Sequence, residues 1–349
     1  MEPLLGKTLT ELQAVAQQAG LQKFAGKQLA EWLYVRRATS FDEMTNISRK
    51  GREALAAQYT VGRHAPVAEA VSADGTKKYL FRVGEQYVES VYIPDEDRAT
   101  LCVSTQAGCK MGCRFCMTGT LGFHGHLPAA EILNQILFFG DLTNIVYMGE
   151  GEPMDNIEQV LRSLDVMTAD WGCAWSPRRI TVSSVGHPNL KRFLDESDCH
   201  VAISLHNPFA VDRADIMPAE RMYSVSKVVA LLKQYDWTHQ RRVSFEYICW
   251  HGQNDTIRHA NELLRLLRGL PCRINLIRFH AAPEGNKQPM SSALDGDNKP
   301  VPFPPSDEKQ MEWLRDYLSA RGITTTIRRS RGEDILAACG MLVNALQKD

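Results

Sequence analysis

Three cysteines crowd one short stretch of the chain, Cys109-Lys-Met-Gly-Cys113-Arg-Phe-Cys116. Gaps of three and two residues put three thiolates in one tight loop just after a β-rich run. Thiolates are soft ligands that select iron–sulfur clusters, zinc or copper. Structural zinc takes four ligands, commonly from Cys-x-x-Cys pairs. Here His124 or His126 would have to complete such a set. A three-cysteine loop with no evident fourth ligand suits a [4Fe–4S] cluster with one iron left open.

Such a loop needs a scaffold, and the chain supplies one from residue 101 onward. Short β-rich runs (101–105, 144–148, 180–184, 200–204, 243–248 and 273–277) alternate with helical runs such as AAEILNQILFFG and TIRHANELLRLLR. Strands separated by helices make a parallel sheet with right-handed crossovers. Six units are too few for a closed eight-strand barrel. The expected fold is therefore α/β, a partial (βα)6 barrel with functional residues past the C-terminal ends of its strands. Chemistry-bearing residues do follow those ends: Gly151 and Glu152, then Ser183, then Ser204, Leu205 and His206, and finally His280. A single serine or histidine after a strand is usually structural; the succession is what points to a site.

Residues 1–70 read as a separate helical unit of three helices, the third opened by Ser48. This unit is locally basic, either as a solvated face or as a nucleic-acid-docking domain. Residues 71–100 read as a β-hairpin region, and 101–349 as the barrel with a C-terminal tail carrying Cys339. The Pro/Gly/Asp-rich segment 282–306 exceeds ordinary connection lengths, which marks it as mobile or functional.

The 349 residues carry 40 basic and 41 acidic side chains, so net charge says nothing about a nucleic-acid partner. Local patches must hold one; Arg178, Arg179, Arg328, Arg329 and Arg331 are candidates, or ordinary surface arginines. No run of 18 or more apolar residues appears, and the N-terminus lacks the pattern of a signal peptide. The expectation is a cytoplasmic protein without a membrane partner. Nine cysteines, an odd number, argue for metal or redox use over a secreted disulfide framework. Cys173, Cys199, Cys249 and Cys272 read as buried small hydrophobes.

The cysteine loop resembles that of the radical-SAM superfamily, in which the open iron chelates S-adenosylmethionine (SAM) and electron donation yields a 5′-deoxyadenosyl radical. A narrower resemblance rests on LCVSTQAGC, GCRFCMTGTLGF, GEGEP, RRITVSS, ISLHNP, SFEYI, INLIRFH and RGEDILAACG in this order. Together these resemble the RlmN/Cfr family, radical-SAM enzymes that methylate adenine in 23S ribosomal RNA, over about residues 20–345. The resemblance implies that Cys109, Cys113 and Cys116 hold the cluster. It also implies that Gly151, Glu152, Ser183, Ser204, Leu205, His206 and His280 bind SAM. One SAM would methylate Cys339 and a second would generate the radical that takes a hydrogen from the S-methyl group. The methylene radical would add to adenine, Glu89 would accept the ring proton, and Cys102 would attack Cys339, leaving a disulfide. Implied partners are 23S rRNA, tRNA and an electron donor such as flavodoxin, with the chain a monomer. Methylation at carbon 2 is the leading reading; the alternative is the antibiotic-resistance branch, which methylates carbon 8. The chain departs from the family's commonest pattern at His280, where Asn is usual, at Glu150, where Met is common, and in Phe-His-Gly-His-Leu after the loop.

Overall fold

The computed structural model describes residues 1–237, 242–280, 293–294, 300–301 and 304–342. Most of segment 282–306 lies outside the described residues.

At the N-terminus, β1 (Glu2–Pro3) pairs in parallel with β2 (Tyr59–Thr60). Between them run α1 (Leu9–Gln18), α2 (Ala25–Ala30) and α3 (Arg49–Ala56). Thr8 and Glu11 close a reciprocal capping box on α1, which satisfies two backbone donors the first turn would leave orphaned. Ser48 caps α3, accepting from the Gly51 amide at 3.2 Å. Helix α2 widens into a π-helical turn over Glu31–Val35, so the expected second helix is continuous but not uniform.

Three antiparallel strands follow: β3 (Ala68–Val71), β4 (Lys77–Val83) and β5 (Gln86–Asp95). Next comes β6 (Arg98–Cys102), then a short hairpin of β7 (Gln106–Gly108) and β8 (Phe123–His126). The βα units continue through α4 (Ala129–Leu137), β9 (Asn144–Tyr147), α5 (Ile157–Thr168), β10 (Ile180–Ser184), α6 (Leu190–Glu196) and β11 (His200–Ser204). Then come α7 (Ala210–Ile216), α8 (Val225–Leu232), β12 (Val243–Cys249), α9 (Ile257–Leu266) and β13 (Cys272–Arg278). A small antiparallel pair, β14 (Ala293–Leu294) and β15 (Pro300–Val301), precedes α10 (Glu308–Ser319) and β16 (Thr324–Ile327).

Ten strands form one sheet in the order β16-β13-β12-β11-β10-β9-β6-β5-β4-β3. From β6 to β16 every pairing is parallel, so the C-terminal strand adds a seventh parallel strand to the six expected units. The hairpin region extends the same sheet in antiparallel fashion through β5 and β6. The first expected strand, 101–105, instead ends at Cys102. Beyond it the Ser104 amide donates to the Gln135 side chain and Thr105 to the Glu150 carbonyl, which takes the backbone out of that run.

Alternation along the strands decides which face meets the helices. Leu101, Ile145, Tyr147, Phe245, Tyr247, Ile274 and Leu276 are buried in the main core. Their neighbours Cys102, Val146, Glu246 and Asn275 face the barrel interior, where the last three line a cavity. The apolar core runs unbroken from Leu12, Leu29 and Tyr34 of the N-terminal helices into α4 and α5. Glu11 pairs with Arg162 at 2.9 Å and His64 with Glu131 at 2.8 Å across that junction. Among the described residues no helix is long and apolar enough to cross a membrane.

Candidate active site

The β7–β8 hairpin brackets the cysteine loop, with the Cys109 amide bonded to the Gly122 carbonyl at 2.9 Å. Gly112 sits at φ 64°, a left-handed turn that glycine adopts without a Cβ penalty. The Cys116 amide reaches the Cys113 carbonyl at 3.1 Å, and Cys116's own carbonyl accepts from Gly119 at 3.2 Å. Met111 and Cys113 pack with Ile216, Met217, Ile248, Trp250 and Phe279. Phe115 meets His206 edge-on at 4.8 Å and lies 5.5 Å from Trp250. Burial raises all three thiols, Cys109 to about 12, so metal must displace their protons on binding.

The two histidines that a zinc site would need are engaged elsewhere. His124 Nε2 donates to the Leu121 carbonyl at 2.7 Å, and His126 Nδ1 lies 3.0 Å from the Gln106 side chain. Zinc draws its sulfur ligands to about 2.3 Å from one ion. Among the described residues no three His, Cys, Asp or Glu side chains converge in that way. A four-iron cluster spreads its thiolates over separate irons, a demand that three cysteines on one loop can meet.

The cavity above the loop is lined by Cys109, Cys113, Cys116, Gly151, Glu152, Ser183, Ser204, His206 and Cys339, among others. Nine residues singled out from sequence thus meet in one place. Gly151 has φ 92°, and a Cβ there would come within 2.4 Å of Gln106 Cβ, so only glycine fits. Glu152 is buried, accepting from the Val185 amide at 2.9 Å and the Met154 amide at 3.1 Å. Burial outweighs those bonds and pushes its carboxyl up to about 7. No ion pair ties a basic side chain to it among the described residues, so a ligand ammonium would relieve the strain of its charge. Glu152→Gln is expected to weaken SAM binding by roughly ten- to a hundredfold, the value of a charge-assisted hydrogen bond. Calorimetry with the intact, cluster-loaded protein checks this; an unchanged Kd rules it out.

His206 is a non-glycine residue at φ 52°, fixed by contacts on both sides. Its Nδ1 accepts from the Ile248 amide at 3.0 Å and its carbonyl accepts from Asn254 at 2.7 Å. Burial, then Arg213, push the imidazole down to about 3, so it is neutral with its proton on Nε2. Arg213 is fully buried beneath this shelf and donates to the carbonyls of Leu205 (2.9 Å), Ser204 (2.8 Å) and Val185 (2.6 Å), while pairing with Glu220.

Two further residues of the expected SAM set, Leu205 and His280, do not line this cavity. The Leu205 side chain is fully buried in the main core, because alternation turns it away from the cavity, and its carbonyl is taken by Arg213. His280 lies outside the cluster cavity, 2.7 Å from Ser330 Oγ and 3.4 Å from Glu333. It lines a second, larger cavity instead.

That second cavity, about 500 Å³, runs along the barrel interior. Arg98, Arg178, Arg242, Arg273, Arg328, Arg329 and Arg331 line it, against Asp95 and Glu246. Cys339 lines both cavities, together with Met148, Glu246, Ile277 and Arg328. Its tail is pinned on either side: the Gly340 carbonyl accepts from Met117 at 2.7 Å, and Gly332 donates to Asp74 at 3.0 Å. Asp334 holds Ser72 and the Ala73 amide. Cys102 sits against Val91, Ala337 and Leu342, and this apolar setting, then Cys339, push its thiol up to about 12. Arg328 opposes that rise. Its guanidinium, 3.3 Å from Glu246, is raised above its ordinary value first by Cys339 and further by Glu246 and Cys102. Both thiols are free.

Glu89 lines neither cavity. It is fully buried on β5, 3.0 Å from the equally buried Lys78 of β4. Sequence reasoning missed Lys78, Arg213 and Glu246, and read Arg328 only as a phosphate contact. The available signal was a charged residue inside an apolar strand, as in KKYLF and VSFEYI.

The radical-SAM superfamily model matches residues 103–267, and the ribosomal RNA large subunit methyltransferase N-terminal domain matches residues 3–61. A Bacteroides thetaiotaomicron protein named "Probable dual-specificity RNA methyltransferase RlmN" is 54% identical, over 99% of this chain and 97% of its own. The Rhodopseudomonas palustris dual-specificity RNA methyltransferase RlmN is 38% identical, over 94% of this chain and 84% of its own. The crystal structure of a radical SAM methyltransferase from Sphaerobacter thermophilus superposes with a TM-score of 0.88 at 36% identity, covering 98% of this chain and 99% of that one. With its cysteine loop at the strand ends, its Cys339 tail and relatives of this identity along its whole length, the chain belongs to the RlmN family of radical-SAM RNA methyltransferases.

Proposed function

We propose that this chain works in the cytoplasm as a methyltransferase acting on carbon 2 of an adenine in 23S rRNA and in tRNA. The observation that carries the reading is the position of Cys339 on the wall between two cavities. One holds the cluster cysteines and the SAM shelf; the other is basic and large enough to admit a flipped base.

Cys109, Cys113 and Cys116 would hold the cluster, and Gly151, Glu152, Ser183, Ser204 and His206 would hold SAM. When bound, these groups supply the methyl group and the hydrogen-abstracting radical. The chain's own residues do the rest. Cys339 takes the methyl group on sulfur, loses a hydrogen atom from it and bonds through the methylene carbon to the adenine ring. The ring adduct would return one electron to the cluster held by Cys109, Cys113 and Cys116, and would pass its proton to Glu89. The Cys102 thiolate then displaces the methylene carbon from the Cys339 sulfur. The departing electron pair stays on that carbon, which takes a proton to become the methyl group. A Cys102–Cys339 disulfide remains for intracellular thiols or an electron-transfer partner of flavodoxin type to reset.

Carbon 2 is favoured over carbon 8 because the full-length relatives carry the RlmN name. Mass spectrometry of nucleosides from treated RNA tests this: 2-methyladenosine supports the reading and 8-methyladenosine rejects it. The basic cavity predicts salt-sensitive binding, with RNA affinity falling by roughly 10³-fold between about 50 and 200 mM salt if six or more phosphates are engaged. A flat salt profile by filter binding would sink that part. The N-terminal segment adds exposed Lys23, Lys27 and Lys50 as secondary RNA contacts, since Arg36, Arg49 and Arg52 are spent on Glu31, Glu53 and the Asp42 carbonyl.

A further inference from the structure

Lys78 is a lysine with 1% of its side chain exposed, in a protein whose surface could have taken it at no cost. Burying an ammonium is unfavourable unless the charge is paired and its donors are used. Two groups use it here. Nζ lies 3.0 Å from Glu89 Oε1 and 3.4 Å from the carbonyl of Leu336. Leu336 is three residues before Cys339 and itself sits in the left-handed region at φ 54°, a conformation a leucine holds only where its surroundings impose it. One ammonium therefore bridges the β5 carboxylate and the tail that carries the reactive sulfur.

A second carboxylate completes the arrangement. Glu150, 1% exposed, accepts from the Glu89 amide at 2.8 Å and from the Gly108 amide at 3.2 Å. Ser104 Oγ donates to the Glu89 carbonyl at 2.6 Å and accepts from the Glu150 amide at 2.9 Å. Glu89 is thus fixed through its backbone to the cysteine loop, and through its side chain to the Cys339 tail. Burial, with Glu89 adding to it, pushes Glu150 up to about 8.

We propose that Lys78 is a positioning residue for the proton-transfer step: it holds the Glu89 carboxylate and the Cys339-bearing tail in register while the RNA is attached to Cys339. The inference rests on the two-cysteine reading above. In that step the ring C–H bond breaks, its electron pair stays in the ring, and the proton moves to a Glu89 oxygen. Removing the ammonium takes the Lys78 cation away from the buried Glu89 carboxylate and unties the tail at Leu336.

The test uses the full chain, cluster-loaded, with SAM and substrate RNA, in Lys78→Gln and Lys78→Met. The Gln variant keeps a hydrogen-bonding side chain and guards against a folding failure in the Met variant. Three quantities are read: S-methylation of the Cys339 peptide, cluster absorption, and the RNA–protein adduct on a denaturing gel. The expected result is normal S-methylation and absorption, with an adduct that accumulates and resolves about 100-fold more slowly, as for loss of an effective general base. Lys78→Arg, which restores the charge, should recover at least about tenfold of that rate. Resolution of the Gln-variant adduct within about threefold of wild type would overturn the proposal, as would loss of S-methylation or of the cluster, which would make Lys78 structural. Failure of the underlying reading is distinguishable: the wild-type protein itself would then show neither S-methyl-Cys339 nor any adduct.

Discussion

Cys102→Ala protein, loaded with its cluster and given SAM and RNA, should end its first turnover joined to the RNA through Cys339. In the wild-type arrangement Cys339 sits close enough to Cys102 to raise the cost of ionising it, and Arg328 stands beside both. In the proposed mechanism the attack of Cys102 on the Cys339 sulfur is the step that frees the product. Alanine removes the nucleophile while keeping the size of a small residue against Val91, Ala337 and Leu342, so the tail should stay in place. Product release should fall below detection, and a peptide mass equal to the Cys339 segment plus a methylene-linked nucleotide should appear. If that protein instead turns over repeatedly, the two-cysteine mechanism is wrong.

The same step should depend on pH in a defined direction. The thiolate is the attacking species, and burial pushes the Cys102 thiol up to about 12. Below that value the thiolate fraction rises tenfold per pH unit. Resolution of the wild-type adduct in a single turnover should therefore speed up by roughly 100-fold between about pH 7 and 9. Arg328 works against the burial, so Arg328→Met should lower the rate at every pH in that range.

Arg213→Met should produce the largest loss of stability. This guanidinium is fully buried, pairs with Glu220 and ties down the carbonyls of Val185, Ser204 and Leu205. Glu220 in turn accepts from the Val225 amide at 2.9 Å, the first residue of α8. Removing one member of a buried ion pair leaves the other charge uncompensated, which costs about 3–5 kcal/mol. Three backbone acceptors would lose their donor as well. Urea denaturation should show a drop of that size, and protein that remains folded should bind SAM weakly because Ser204 and His206 lose their common anchor. A change under about 1 kcal/mol would mean that the shelf is held by strand pairing alone.

The chemistry was legible in the sequence because ligand sets and strand ends are local. Three thiols within eight residues share one loop whatever the rest of the chain does. Strand after strand ended on Gly151–Glu152, Ser183 and Ser204–His206, and the parallel topology brought them to one edge. The core follows the strand period, with Phe245 and Tyr247 on one strand and Ile274 and Leu276 on the next each two residues apart. Resemblance to a family supplied the pairing of Cys102 with Cys339, which lie more than two hundred residues apart in the sequence.

Tertiary structure alone decided where the polar residues of the same strands point and what they meet. Lys78, Glu89 and Glu150 come from three separate segments and become one buried group only when the antiparallel strands join the barrel sheet. Arg328 changes from a surface charge to the neighbour of both reactive thiols because β16 pairs with β13 and carries it in over Glu246. His280 and Leu205 lie outside the cluster-cysteine cavity for reasons of side-chain direction that no motif encodes. The physical cause is the same in each case. Ligand type and strand period are fixed by a few neighbouring residues, whereas the partner of a buried charge is fixed by which distant strand folds against it.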